Sequence, residues 1–264
     1  MGVTQWGAPI RTLWSPSAGN GEGAGDAVVT PWRYPRPMCG RYAIYGPVSL
    51  NREAKAIVHQ MDIDMWRMLD DRQQYNVCPT QAAPVVVYGE GGYHLRDYRW
   101  GLIPSWSKDA KAAAKMINAR VETVADKPAY RAAYRKRRCL VPASGYYEWQ
   151  GEPGNKQPYY IHAPDGGLIM MAGLWEGWRL TDGDPWVHTF TVLTGEPGRV
   201  SGDIHDRQPV ILPPDLWQPW CEGSASDAGT VLAQVPEAQL AYHAVTKAVS
   251  NPRSQGPELI EPIG

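Results

Sequence analysis

The sequence predicts an α+β fold: a single domain with a largely antiparallel sheet or barrel-like core and flanking helices. Three observations carry this. Five short apolar runs bounded by Gly, Pro or polar residues read as strands, at 84–88 (PVVVY), 158–162 (PYYIH), 168–174 (LIMMAGL), 187–193 (VHTFTVL) and 209–212 (PVIL). Helical stretches fall between them without the regular rhythm of β-α-β units. No internal repeat is visible.

Taken in order, residues 1–37 stand apart. They hold 6 Gly and 5 Pro and only five large aliphatics, Val3, Ile10, Leu13, Val28 and Val29. That composition buries too little apolar surface to offset the entropy of ordering. The segment is expected to be a disordered leader, or sequence upstream of the real start, with the folded domain spanning 38–264. Structure is expected from Cys39, where CGRYAIYG forms a short strand ending at Gly46-Pro47. Behind a Ser49 cap, Leu50, Ala54, Ile57, Val58 and Met61 recur at helical spacing. Two further helices are expected at 108–117 and 127–138, the second capped by Asp126 with Pro128 in its first turn.

Composition narrows the function. The formal net charge is −1, which excludes a globally basic nucleic-acid binder and leaves only a local patch. Arg131, Arg135, Lys136, Arg137 and Arg138 form one such run, readable as a solvated helix face or as a binding surface. The aromatic set is skewed, with 12 Trp and 14 Tyr but a single Phe, Phe190. Trp and Tyr fill cores and also stack on planar ligands. The four cysteines, at 39, 78, 139 and 221, show no C-x-x-C spacing, which argues against a structural zinc site. No metal or cofactor is expected. No run reaches membrane-spanning length, so a reducing cytoplasm is the expected location and no membrane the expected partner.

Four segments combine polar residues with strong punctuation: MCGRY (38–42), NARVET (118–123), GYYEW (145–149) and DIHDRQPVIL (203–212). Glu148 reads either as a carboxylate desolvated in an aromatic pocket, poised for acid-base work, or as an ordinary strand surface residue. His205, between Asp203 and Asp206, is a general acid-base group or a structural histidine. Asn118 and Arg120 alternate with Ala119, so both face one side of an extended segment, suiting a sugar-phosphate or a salt-bridged turn.

This ordered set resembles the SRAP family, the SOS-response-associated peptidase or abasic-site processing proteins. The similarity takes in MCGRY, YNVCPTQ (75–81), RWGLIPSW (99–106), NARVET, RCLVPASGYYEW (138–149), PYYIHAPDG (158–166), IHDRQPVIL (204–212) and AVSNPRSQGPELI (248–260). It implies a protein, expected to be monomeric, that binds single-stranded DNA or junctions with duplex. It further implies a covalent link to abasic sites through the cysteine after the initiator methionine. By this resemblance the catalytic residues are Cys39, Asn118, Glu148 and His205. Glu148 is the acid-base glutamate, His205 opens the sugar ring and reverses the link, and Asn118 holds the open deoxyribose. Arg41, Arg120 and Arg207 are the implied phosphate ligands, with Asn76 beside them. Pro79 and Trp106 are the positions that wedge or stack against bases, and Cys78 packs beside them.

A rival reading is a thiol (auto)peptidase using Cys39 with His205 and Glu148 or Asn118. A third is a single-strand binding module without chemistry. The α-amine of Cys39 separates the first two readings, because a thiol protease does not need it. Thiazolidine chemistry therefore expects the working chain to begin at Cys39, after Met38 is trimmed from an internal start or by cleavage behind it.

Overall fold

The computed structural model describes residues 40–47 and 63–264. Residues 1–37, expected as a leader, Cys39 and the helix expected over 50–61 lie outside the described residues. Twelve strands are found among those described: β1 (Tyr42–Tyr45), β2 (Gln73–Val77), β3 (Ala82–Gly89), β4 (Gly92–Trp100), β5 (Asn118–Arg120), β6 (Arg138–Ala143), β7 (Gly145–Gln150), β8 (Gln157–His162), β9 (Ile169–Trp178), β10 (Val187–Gly195), β11 (Gln208–Pro209) and β12 (Ala241–Ala244). The helices are short: α1 (Ile63–Asp70), α2 (Arg131–Lys136), α3 (Arg199–Gly202), α4 (Trp217–Glu222) and α5 (Ala225–Gln234).

The strands form two sheets. One runs β12-β8-β7-β1-β2 and is antiparallel throughout. In the other, β10-β4-β3-β6-β9 closes on itself through a β9–β10 pairing, making a five-stranded barrel in which only β4–β10 is parallel. Closure removes the sheet edges that would otherwise need covering. The fold class is therefore α+β with a barrel at its centre, as the apolar runs predict.

The barrel explains its own sequence. Every residue of β6 is buried, between its barrel neighbours β3 and β9 and the covering helix α4, whose Trp220 Nε1 donates to Cys139 O at 3.0 Å. Trp100 is fully buried and meets Tyr42 edge-on at 5.1 Å between ring centres. Its indole Nε1 donates to Ile117 O at 2.9 Å, which fixes the approach to β5. β5 then pairs in parallel with β10, Asn118 opposite Val192 and Arg120 opposite Thr194.

β6 and β7 are almost one strand. At Ser144 the chain leaves the barrel and enters the second sheet. The Ser144 amide donates to Ala43 O at 2.8 Å, and its Oγ accepts from the Tyr45 amide at 3.1 Å. Gly145 follows because nothing larger fits: a Cβ there would meet Tyr160 Cζ at 2.5 Å and Ile161 O at 2.7 Å.

Three expectations are corrected. The helix expected over 127–138 is limited to α2, and its N-cap is Tyr130 with no side-chain cap, not Asp126. Residues 123–130 form successive turns instead, and the burial of Arg138 pulls the chain into β6. The stretch 108–117 holds only a 3-10 turn over Lys111–Lys115. The run 209–212 pairs only at β11 and through one bridge, Met171 to Ile211, before Pro213 and Pro214 end it.

Replacing Gly145 by Ala is expected to destabilise the fold by about 1–3 kcal/mol through overpacking against backbone. A thermal melt should show a midpoint lowered by roughly 2–12 °C. An unchanged midpoint would refute the steric account of the corner.

Candidate functional site

The alternation of β7 places Tyr146 and Glu148 on one face and Tyr147 and Trp149 on the other. Glu148 is only 3% exposed, and Tyr159 on β8 lies across from it. Beside this face comes the loop carrying His205. The Tyr146 hydroxyl bonds Ser201 Oγ at 2.8 Å, and Ser201 O accepts the His205 amide at 2.9 Å. Further along β7, Gln150 Nε2 donates to Asp203 O at 2.5 Å. The far side of the loop is held by Arg207. Its guanidinium grips the Glu122 carboxylate with two bonds of 2.8 and 2.9 Å and donates to Thr194 O at 2.6 Å. Thr194 is paired with Arg120, so the loop bridges β7 to the β5–β10 edge. Glu148, His205 and Asn118 thus lie on elements bonded to one another, although 30 to 87 residues separate them in the chain.

The chain approaches β1 beside the same strand. Tyr42 lies opposite Tyr146, and the Tyr147 amide donates to Arg41 O at 3.0 Å. In an antiparallel pair, each step towards the N-terminus of β1 leads further along β7 towards Glu148. Gly40 lies beside Ile117, the neighbour of Asn118: a Cβ at Gly40 would be 4.0 Å from Ile117 Cδ1. Cys39 itself is outside the described residues.

His205 is buried, and its ring Nδ1 has two competing partners. The Arg207 amide donates to it at 3.2 Å, which needs a lone pair there. Asp206 Oδ1 stands 2.9 Å away, which needs a proton there. Only one of the two contacts can be made at a time: the amide needs a bare Nδ1 and the carboxylate an Nδ1–H.

The expected DNA ligands divide. Arg120 is exposed on the same face of β5 as Asn118, with Ala119 buried behind, as the alternation predicts. Asn118 is half-buried, and its carbonyl accepts the Tyr130 hydroxyl at 3.2 Å. Trp106 is 66% exposed, on a turn tied to β9 by Trp178 Nε1 donating to Ser107 O at 2.8 Å. Pro79 is half-buried and precedes Thr80, which adopts φ 73°, a left-handed conformation costly for a β-branched residue. The Thr80 amide is pinned to Trp100 O at 2.8 Å.

Asn76 departs from expectation. It is fully buried, and its Nδ2 donates to Val249 O, Asn251 O and Ser254 O at 3.0–3.2 Å. A direct DNA contact does not fit that burial; the side chain holds the C-terminal loop. Arg41 shares the task. Nη1 bonds Asn76 Oδ1 at 3.0 Å and Val249 O at 2.6 Å, and Nη2 bonds Ser250 O at 3.1 Å, so three of its five donor hydrogens are spent internally. Arg207 is likewise committed, to Glu122. The basic run also divides: Arg131, Arg135 and Lys136 are exposed, Arg137 pairs with Glu176 at 2.6 Å, and Arg138 is buried against backbone carbonyls, among them Trp220 O and Gly223 O. Sequence reasoning left Ser201, Gln150 and Glu122 without a role. Glu122 lay inside a quoted motif, whereas nothing local marked Ser201.

A fold of this kind with this residue set has a family. The chain belongs to the SOS response associated peptidase (SRAP) family, whose model matches residues 38–252. It is 34% identical over 229 residues to the abasic site processing protein YoqW of Bacillus subtilis, covering 85% of this chain and 99% of that protein. It is 32% identical over 232 residues to the abasic site processing protein YedK of Escherichia coli, covering 86% and 100%. The fold matches an X-ray structure of a protein from Bacteroides thetaiotaomicron with TM-score 0.68 at 23% identity, covering 85% of this chain and all of that one.

The Glu122–Arg207 pair gives a pH prediction. The Arg207 hydrogen bonds hold the Glu122 carboxyl below the ordinary glutamate range. A depressed folded pKa means the pair contributes above the unfolded pKa and is lost as pH falls through the folded one. The loop at 203–207 should therefore stay pinned while a free glutamate titrates, and loosen only at lower pH. An NMR titration should place the Glu122 midpoint below that of a reference glutamate; a midpoint at or above it would break the assignment.

Proposed function

We propose that this chain captures abasic sites in single-stranded DNA, including strands next to duplex, by forming a thiazolidine with the α-amine and thiol of Cys39. What supports the reading is that buried Glu148 on β7 and buried His205 lie on elements bonded to each other, and that the His205 loop is tied by Arg207 to the β5–β10 edge carrying Asn118. The names of the relatives support a role at abasic sites.

The chemistry needs both groups of an N-terminal cysteine. An abasic deoxyribose opens to a C1′ aldehyde. The neutral amine adds to it, and loss of water from the carbinolamine leaves an imine. The thiol then adds across the C=N bond and closes a five-membered ring, so the balance is aldehyde plus aminothiol giving thiazolidine plus water. An α-amine has a pKa of ~7.7–8.0 against ~10.4 for lysine, so a useful fraction is neutral near pH 7. Glu148 moves the protons between amine, carbinolamine and departing water. His205 protonates the sugar oxygen on opening and the thiazolidine on reversal. Asn118 holds the opened sugar, while Arg120 and Trp106 supply a phosphate contact and a stacking platform. The working chain accordingly starts at Cys39, and acts as a monomer in a reducing cytoplasm.

Abasic single strands followed in a denaturing-gel time course test this. Glu148→Gln should slow adduct formation by about 100-fold or more, while His205→Ala should mainly slow release in a chase with fresh substrate. Cys39→Ala should bind DNA without linking to it. Acetylation of the Cys39 amine should abolish the adduct; an adduct that survives acetylation would sink the thiazolidine and favour a thiol hydrolase.

A further inference from the structure

Resting on the DNA-capture reading above, we propose that the C-terminal loop at 249–255 is a second DNA-contacting element of the same site, with Arg253 as its phosphate ligand. This loop belongs to the AVSNPRSQG stretch, for which the chemistry above has no use.

The loop has no regular structure beyond the 3-10 turn at Lys247–Ser250, yet its backbone is held at many points. Arg41 and Asn76 bind the carbonyls of Val249, Ser250, Asn251 and Ser254. Gln255 Nε2 returns a bond to Asn76 O at 3.1 Å, and Trp149 Nε1 holds Ser250 Oγ at 3.0 Å. Val249 is buried as an apolar anchor. Two side chains expected to face DNA are thus spent on fixing this one loop. Such an expenditure of donors makes physical sense if what they fix has to be presented rigidly, since ordering a contact in advance lowers the entropy lost on binding.

What the loop presents is polar and cationic. Ser250, Asn251, Pro252 and Arg253 are all exposed. The Arg253 amide is held by Asn251 Oδ1 at 3.0 Å, and its guanidinium makes no ion pair among the described residues. Arg207, by contrast, has its charge neutralised by Glu122. The position suits a strand crossing the site. On one side the loop abuts Arg41, two residues from Cys39. On the other, Pro252 O lies 4.0 Å from Cys78 Sγ, beside the Pro79–Thr80 turn. A guanidinium there meets the backbone of a strand whose lesion lies at Cys39 and whose neighbouring base meets Pro79. Phosphate oxygens match the guanidinium fork.

The test is a fluorescence-anisotropy titration with an abasic single strand across a salt series, using the chain that begins at position 39 and carries Cys39→Ala so that binding stays reversible. Losing one phosphate contact on a single strand should lower the slope of log K against log salt by about 0.7, and weaken binding about fivefold near ~0.1 M salt. Arg253→Ala should show both changes, and Arg253→Lys should keep the slope. An Arg253→Ala protein with unchanged slope overturns the proposal, whether or not its affinity falls, because a merely structural role leaves the slope alone. A Cys39→Ala protein that does not bind the strand at all overturns the DNA-capture reading itself, which is a different result.

Discussion

The site depends on one corner. Between Ala143 and Gly145 the chain passes from the closed barrel to the second sheet without a loop, and Ser144 is bonded to both Ala43 and Tyr45 across the junction. Because Gly145 has room for no side chain, Ile161 and Tyr160 close directly over it. β7 therefore leaves the barrel at a fixed angle, and Tyr146 and Glu148 inherit that orientation. The barrel fixes the other half: β10 carries β5 in parallel register, so Asn118 and Arg120 are positioned by the same strand that receives the Arg207 guanidinium. A barrel is a suitable base for this, since closed hydrogen bonding leaves no edge to fray.

Charge is managed locally in a molecule with almost no net charge. Several arginines that look available are internally engaged: Arg138 satisfies backbone carbonyls in the interior, Arg137 pairs with Glu176, and Arg207 with Glu122. Burying a guanidinium is tolerable only with such partners. Arg120 and Arg253, by contrast, are exposed. Neutralisation of this kind keeps exposed positive charge local in a protein with almost no net charge.

Much of the fold was legible because its strands are short apolar runs bounded by punctuation, the pattern that a twisted, closed sheet imposes. The helices were less so. Helical periodicity over 127–138 is real, but only six residues adopt it, since Arg138 is drawn into β6 by carbonyls more than eighty residues away. The one-face placement of Asn118 and Arg120 follows from the period of two alone and is what the structure shows.

By itself the sequence determined the residue chemistry: a cysteine after an internal methionine, a carboxylate after two tyrosines, a histidine between aspartates, and the family to which their order belongs. Only the tertiary structure decided which of these side chains remain available. Arg41 and Arg207 are as basic in the sequence as Arg120, and Asn76 is as polar as Asn118. Their engagement is set by partners 208, 85 and 173 residues away, Val249, Glu122 and again Val249. Hydrogen-bonding capacity is a property of a side chain, but its expenditure depends on what the fold brings within 3 Å, and no local pattern encodes that.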